Sequence, residues 1–390
     1  MESLDSFKDT DNCELRSSQE PLSKYQKGGF HPLCLGETLR DERYTVKHKL
    51  GWGGFSTVWL AWDNQEEKYV AVKILTADSP ASIEAQHLKG LDQASNEGLD
   101  EVFIVELFDT FELEGPNGKH QCLIFEVLGP SLAVVLESYS LTSKEVLKAT
   151  KQLLHAVSFI HENGYGHGDI SIRNIAYTLP QVPTFNLMDH LDQPQVHDLV
   201  LKSGEGLPPG FPTQIVKAAE WKTQDIFDEA DIRLLDFGDT FEQGHEPDHL
   251  AQPNSLRAPE TILTDGFDFK VDLWDVGVTI YEIIFRDPPF MYLGDEEGFI
   301  ASMLAFIGGE MPKEWDEVYR EIHRKGGREW EVFENVPESK PGLERKFESL
   351  EDKSLKPLLA ILQGLMKFNP EDRILASEAL KKIFDIETVH

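Results

Sequence analysis

The stretch "HGDISIRN", His167–Asn174, directly follows a long run with helical spacing and places an aspartate and an asparagine five residues apart. Asp169 can accept or orient the proton of an attacking hydroxyl. Asn174 offers a hard amide oxygen of the kind that suits Mg2+. Between them stand Ser171, short and neutral, and Arg173, permanently charged and forked. Eight residues of this sort occur by chance, so their meaning depends on what surrounds them.

Downstream, "IRLLDFGD" reads as a buried strand ending in Asp236-Phe237-Gly238, and Asp236 is a second hard oxygen ligand. Upstream, "LGWGGFSTVW" puts Gly51, Gly53 and Gly54 in a hairpin, with Ser56 where a third spaced glycine could stand. Such glycines let a backbone approach phosphates closely and offer N–H groups to them. About twenty residues on, "VAVK" sets Lys73 on the next strand pair, where an amine can reach phosphates. Glu84, on the helix that follows, can hold that amine. "LRAPE" (Leu256 to Glu260), "DLWDVG" and Arg373, a partner for Glu260, complete an ordered set that chance does not explain.

The chain has 390 residues, 40% hydrophobic and 10% aromatic, enough for a large core. Three scattered cysteines, Cys13, Cys34 and Cys122, are too few for a disulfide framework or a zinc site. No apolar run reaches membrane-spanning length and the first thirty residues lack a signal-peptide pattern. The expectation is a soluble monomer in the cytoplasm, with the nucleus as a second location, and without membrane contact. Sixty-nine acidic against 37 basic residues give a net charge of −32, which disfavours direct nucleic-acid binding and suits a basic partner.

Residues 1–30 show no periodicity and are expected to be disordered. From Tyr44 strand patterns alternate, as in "STVWLAWD" and "YVAVKIL"; "SPASIEAQHLKGLDQA" is helical, with Ser79 as cap and Pro80 in the first turn. After Leu128 helices take over, led by "SKEVLKATKQLLHAVSFIHENG" with Ser143 as N-cap and Gly164 as stop. The fold class is α+β and bilobal: a small antiparallel-sheet lobe over 40–128 and a mostly helical lobe over 129–386. The lobes join near Glu126 to Leu128. The helical lobe carries insertions at about 177–229 and 308–346, both read as irregular apart from "TQIVKA".

The ordered set resembles the eukaryotic protein kinases over roughly residues 40 to 386. "GGFHPLCLGETLRDERYTVKHKLGWGGFSTVWLAWD", and "FEVLGPSL" after Phe125, resemble the SR-protein kinases, particularly their fungal relatives. The resemblance implies a serine/threonine kinase that uses ATP and Mg2+, with Asn174 and Asp236 on the metal. It implies catalytic roles for Lys73, Glu84 and Asp169, and Arg173, four residues after Asp169, is read as a further catalytic cation. Nucleotide contacts are implied for Leu50, Gly51, Trp52, Gly53, Gly54, Phe55, Ser56, Val58, Ala71, Lys73, Glu126 and Leu128. The implied substrate is an Arg/Ser-rich splicing-type protein, which places the activity in mRNA processing. Asp169 and Asp236 are 67 residues apart, 236 − 169, which fits the insertion those kinases carry there.

Two departures stand out. Gly168 replaces the arginine that in many kinases pairs with a phosphorylated loop, and Ser171 replaces the lysine that steadies the transferred phosphoryl group. Arg173 stands where tyrosine kinases with an "Asp-x-Ala-Ala-Arg-Asn" loop also carry an arginine. Ser171 leaves a catalytically inactive scaffold as one alternative. A small-molecule kinase of the aminoglycoside type, where "HGD" with a later Asn also occurs, is another; the Ala-Pro-Glu segment speaks against it.

Overall fold

Between Tyr44 and Leu75 the strand-forming runs put Tyr44 and Val46, Trp59 and Ala61, and Val70, Val72 and Ile74 at alternate positions, so one face of each strand must find a dry partner. The computed structural model describes residues 19–79, 83–95, 102–180, 182, 185–222, 230–326 and 340–389. There the alternation folds into a six-stranded antiparallel sheet of β1 (Thr38–Leu39), β2 (Tyr44–Trp52), β3 (Ser56–Asp63), β4 (Lys68–Leu75), β5 (Leu107–Gly115) and β6 (Gly118–Phe125), ordered β1-β2-β3-β4-β6-β5. Trp59, Ala61, Val70, Val72, Ile74, Cys122 and Ile124 pack into one core on one face. Val58 pairs with Lys73 and Leu60 with Ala71 across β3 and β4, so these four share the opposite face. That register sets Lys73 apart from the core.

The chain divides into two compact units. One holds the described residues up to Asp92, Val105–Gly129 and Thr178–Ala230; the other holds Gln93–Ile104, Pro130–Tyr177 and Asp231–His390. The α+β class agrees with expectation, but several finer assignments do not. The insertion expected in the helical lobe clusters instead with the strand-rich unit. Leu187 and Leu191 pack on Leu60, with Leu50, Tyr69 and Val127 beside them, and Val216 joins the sheet core. "TQIVKA" does contain a strand, Gln214–Val216, which pairs antiparallel with Val196–Asp198.

The second correction concerns the first thirty residues. Residues 1–18 lie outside the described residues, but Leu22, Tyr25 and Phe30 are buried against Leu199, Leu201 and Ile215 of the insertion. Glu20 forms a buried ion pair with Lys49 and accepts a hydrogen bond from Tyr25. These partners lie far away in sequence, so no local periodicity announces them.

In the helical unit the helix Ser143–Glu162 begins one residue earlier than the cap reading. Thr142 is the N-cap and forms a reciprocal capping box with Glu145, while Gly164 at φ 82° ends the element as expected. The helix Val271–Phe285 is buried along most of its length. Glu260 and Arg373 form the expected pair, bidentate at 2.6 Å and buried, which anchors the Ala-Pro-Glu segment. The segment read as irregular from 308 to 346 is partly helical, over Asp316–Gly326 and from Gly342. Pro80 lies outside the described residues.

Candidate active site

In the strand-rich unit the hairpin between β2 and β3 turns through Gly53 and Gly54, closed by the Gly53 N–H on the Ser56 carbonyl at 2.9 Å. Gly51, Gly53 and Gly54 have no positive φ, and no described atom lies within 4 Å of a Cβ built on any of them. The protein's own packing therefore does not demand glycine there. Open backbone suits the close approach of a phosphate. Trp52 and Phe55 are exposed, Ser56 is buried, and Leu50 is held in the cluster with Leu187.

Lys73 Nζ lies 2.9 Å from both carboxylate oxygens of Glu84, the Lys side chain 12% and the Glu side chain 5% exposed. This is the ion pair the sequence reading assigned. Ala71 is buried beside it on the strand and Val58 lies opposite. Glu126 donates its N–H to the Glu106 carbonyl and receives the Glu106 N–H on its side chain, at 3.1 and 3.0 Å. Leu128 follows, half-buried and outside any strand.

In the helical unit the catalytic-loop residues hang on Asp272, whose carboxylate accepts the His167 and Gly168 N–H groups at 2.7 and 2.8 Å and meets His161 Nε2 at 2.9 Å. Burial raises the Asp272 pKa, but these bonds and the histidines win and hold it below the usual range. Asp272 was not singled out from sequence. The available signal was an acid at the first turn of a helix apolar all round.

His167 is fully buried, and burial lowers its pKa against the pull of Asp272 and Asp236; its ring packs edge-on to Phe237 at 4.9 Å, and Nε2 lies 3.2 Å from the Leu235 carbonyl. The loop is thereby fixed to the Asp236-Phe237-Gly238 turn. Asp236 is itself left-handed, φ 66°, ψ 70°, a costly backbone state for a non-glycine residue that the surrounding bonds must impose.

Asn174 Nδ2 donates to Asp169 Oδ2 at 2.7 Å and to the Asp169 carbonyl at 2.9 Å. With its amide nitrogen engaged, Asn174 keeps its amide oxygen as a hard donor, and the Leu235 N–H bonds the Asn174 carbonyl at 2.9 Å, which brings the residue before Asp236 against it. Asp169 Oδ1 is buried with no hydrogen-bond partner among the described residues, an acceptor waiting for a donor. Burial pushes the Asp169 pKa up to about 6; Asn174 opposes this, Asp239 and Asp236 add to it, and Arg173 opposes it. Arg173 is exposed, and its charge also bears on Glu282, whose carboxyl burial lifts to about 7. Ser171 is buried and its carbonyl accepts the Asn174 N–H at 3.0 Å. Asp169, Arg173, Asn174 and Asp236 are thus one cluster, and Lys73 and Glu84 another.

The sequence profile of the protein kinase domain matches residues 44–190 and 221–384, and its gap falls within the insertion. A serine/threonine protein kinase of Aspergillus fumigatus is 28% identical over 389 residues, covering 94% of this chain and 90% of its own. Protein kinase dsk1 of Schizosaccharomyces pombe is 34% identical over 46% of this chain and 34% of its own. SRSF protein kinase 3 of Homo sapiens is 36% identical over 40% of this chain and 29% of its own. A solved kinase domain superposes with a TM-score of 0.62 over 90% of this chain and 96% of its own, at 20% identity, a likeness of fold.

Proposed function

The chain belongs to the protein kinase family and is an ATP-dependent serine/threonine kinase, and we propose that its substrate is a basic, Arg/Ser-rich protein. The net charge of −32 carries this proposal: a surface so acidic concentrates a cationic peptide and speeds its encounter. The likeness to SR-protein kinases, one of which is named for SRSF proteins, agrees with it.

The residues divide the work by their chemistry. The glycine hairpin offers N–H groups, and Lys73, oriented by Glu84, offers a cation to the phosphates. Asn174 Oδ1 and the Asp236 carboxylate would hold Mg2+, which when bound neutralises charge on the phosphate oxygens. Their fit rests on the Asn174 amide nitrogen, already donating to Asp169, and on the burial that, with the Asp239 and Asp236 carboxylates, lifts Asp169. Asp169 Oδ1 accepts the proton of the serine hydroxyl as its oxygen attacks the γ-phosphorus and the bond to the β-phosphate oxygen breaks.

The test compares an Arg-Ser repeat peptide with a neutral serine peptide. The basic peptide should be preferred, and its KM should rise steeply between low and high salt while the KM for ATP changes little. Equal kcat/KM for the two peptides, or a salt-independent KM, would remove the basic-substrate assignment.

Activity should also survive phosphatase treatment unchanged. Gly168 has φ 82°, and a Cβ there would lie 2.7 Å from the Asp239 carbonyl and 3.1 Å from Leu250, so the fold excludes the arginine that would receive a phosphate. Thr240 is buried, its hydroxyl directed to the His167 carbonyl at 3.5 Å. A large loss of rate traced to a phosphate on Thr240 or Ser255 would contradict this.

A further inference from the structure

Gly168 leaves the segment between Asp239 and Arg257 without the arginine that many kinases carry at that position, yet its course is defined. Leu250 fills the space beside Gly168, and Glu260 and Arg373 fix the far end. Midway, Gln252 donates Nε2–H to Asp275 Oδ2 on the buried helix Val271–Phe285; Gln252 is 9% exposed and Asp275 fully buried. The remaining polar atoms of this pair, Gln252 Oε1 and Asp275 Oδ1, are both buried acceptors without a hydrogen-bond partner among the described residues.

As a carboxylate, Asp275 would leave two orphaned acceptors and a bare charge in a dry interior, which is strongly unfavourable. One proton removes the whole difficulty. A carboxylic acid and a primary amide can form a ring of two hydrogen bonds, N–H to one carboxyl oxygen and O–H from the other to the amide oxygen. The two unpartnered atoms are the two that such a ring would join.

We propose that Asp275 is a neutral acid paired cyclically with Gln252, and that the pair is a positioning device holding the segment ahead of Ala-Pro-Glu in the place a phosphorylated side chain would otherwise secure. The surroundings agree: burial, then the Asp272 and Asp169 carboxylates and Glu260, push Asp275 well above the ordinary carboxylate range. The inference rests on the kinase activity but not on the Arg/Ser-rich substrate.

The experiment uses the full chain with Asp275→Asn, Asp275→Ala and Gln252→Ala. Asparagine can make both bonds of the ring without a titratable proton, donating Nδ2–H to Gln252 Oε1 and accepting at Oδ1. Asp275→Asn should therefore keep the peptide KM and kcat within about twofold of wild type. Gln252→Ala and Asp275→Ala each leave a buried partner unpaired. They should raise peptide KM about tenfold with the KM for ATP unchanged, since the nucleotide-contacting residues lie elsewhere in the chain.

Hydrogen exchange supplies a readout independent of substrate. Amides of residues 243–258 should exchange faster in the two alanine variants but not in Asp275→Asn. If Asp275→Asn behaves like Asp275→Ala, the residue acts as a charged carboxylate and the proposal fails. It also fails if Gln252→Ala, which changes a residue on the segment and none on the buried helix, leaves exchange and peptide KM at wild-type values. Failure of the Arg-Ser peptide alone, with the exchange pattern intact, would count against the substrate assignment only.

Discussion

Asp169→Asn should lower turnover about 10³-fold while leaving affinity for Mg-ATP within a few-fold of wild type, in the range for a positioned base. Asp236→Ala should abolish turnover and weaken Mg-ATP binding tenfold or more. The two acids sit in one cluster, but their bonds assign them different work. Asp169 Oδ2 is tied to Asn174, and Oδ1 is a buried acceptor with no partner among the described residues, so its loss removes a contact to the substrate hydroxyl. Asp236 is held in a left-handed backbone state just past the strand Ile232–Leu234, next to Leu235, whose N–H bonds the Asn174 carbonyl. Removing it takes away contacts already present with bound nucleotide, so ground-state affinity falls along with the rate. Lys73→Met should resemble Asp236→Ala in rate, because the Lys73–Glu84 pair is formed and one amine serves the phosphates. Nucleotide titration of the three variants decides; equal losses of affinity for Asp169→Asn and Asp236→Ala would contradict the division.

Much of this site is legible in the sequence because the chemistry is carried by short, locally determined elements. A strand leading into Asp236-Phe237-Gly238 and the placing of Lys73 on a strand are read from short local patterns, while the register that sets Lys73 opposite Val58 comes from the fold. The capping-box glutamate fixes the start of the helix before His167 to within one residue. What alternation cannot carry is partnership across long separations. Glu20 and Tyr25 look like solvated residues of a polar tail until Lys49 and Leu199 stand next to them. The insertion shows its Gly and Pro clusters in sequence, yet its attachment to the sheet depends on Leu187, Leu191 and Val216, three apolar residues among many. The Gln252–Asp275 contact is equally hidden: an acid inside "DLWDVG" gains meaning only when a glutamine 23 residues away is seen to reach it.

Arg173→Ala should cost on the order of 10²-fold in turnover with ATP binding largely kept, as for a charge that acts on the transition state. Ser171 cannot replace it, being buried and neutral. The structure places the arginine's charge where it bears on Asp169 and on Glu282, so two mechanisms predict a loss and must be separated. In the first, the guanidinium contacts the transferring phosphoryl group. In the second, it only keeps Asp169 ionised. Arg173 lowers the Asp169 pKa, so without it that pKa rises above about 6 and the ionised fraction at neutral pH falls. Under the second mechanism the variant's rate would recover fully as pH is raised by about two units, because Asp169 ionises again. Under the first, the deficit persists across the alkaline range, and Ser171→Lys in the same background restores part of the rate by returning a cation to the loop. The exposed, forked guanidinium favours the first mechanism. Near-normal turnover of Arg173→Ala at neutral pH would exclude both, and would mean that "HGDISIRN" transfers phosphate without a loop cation.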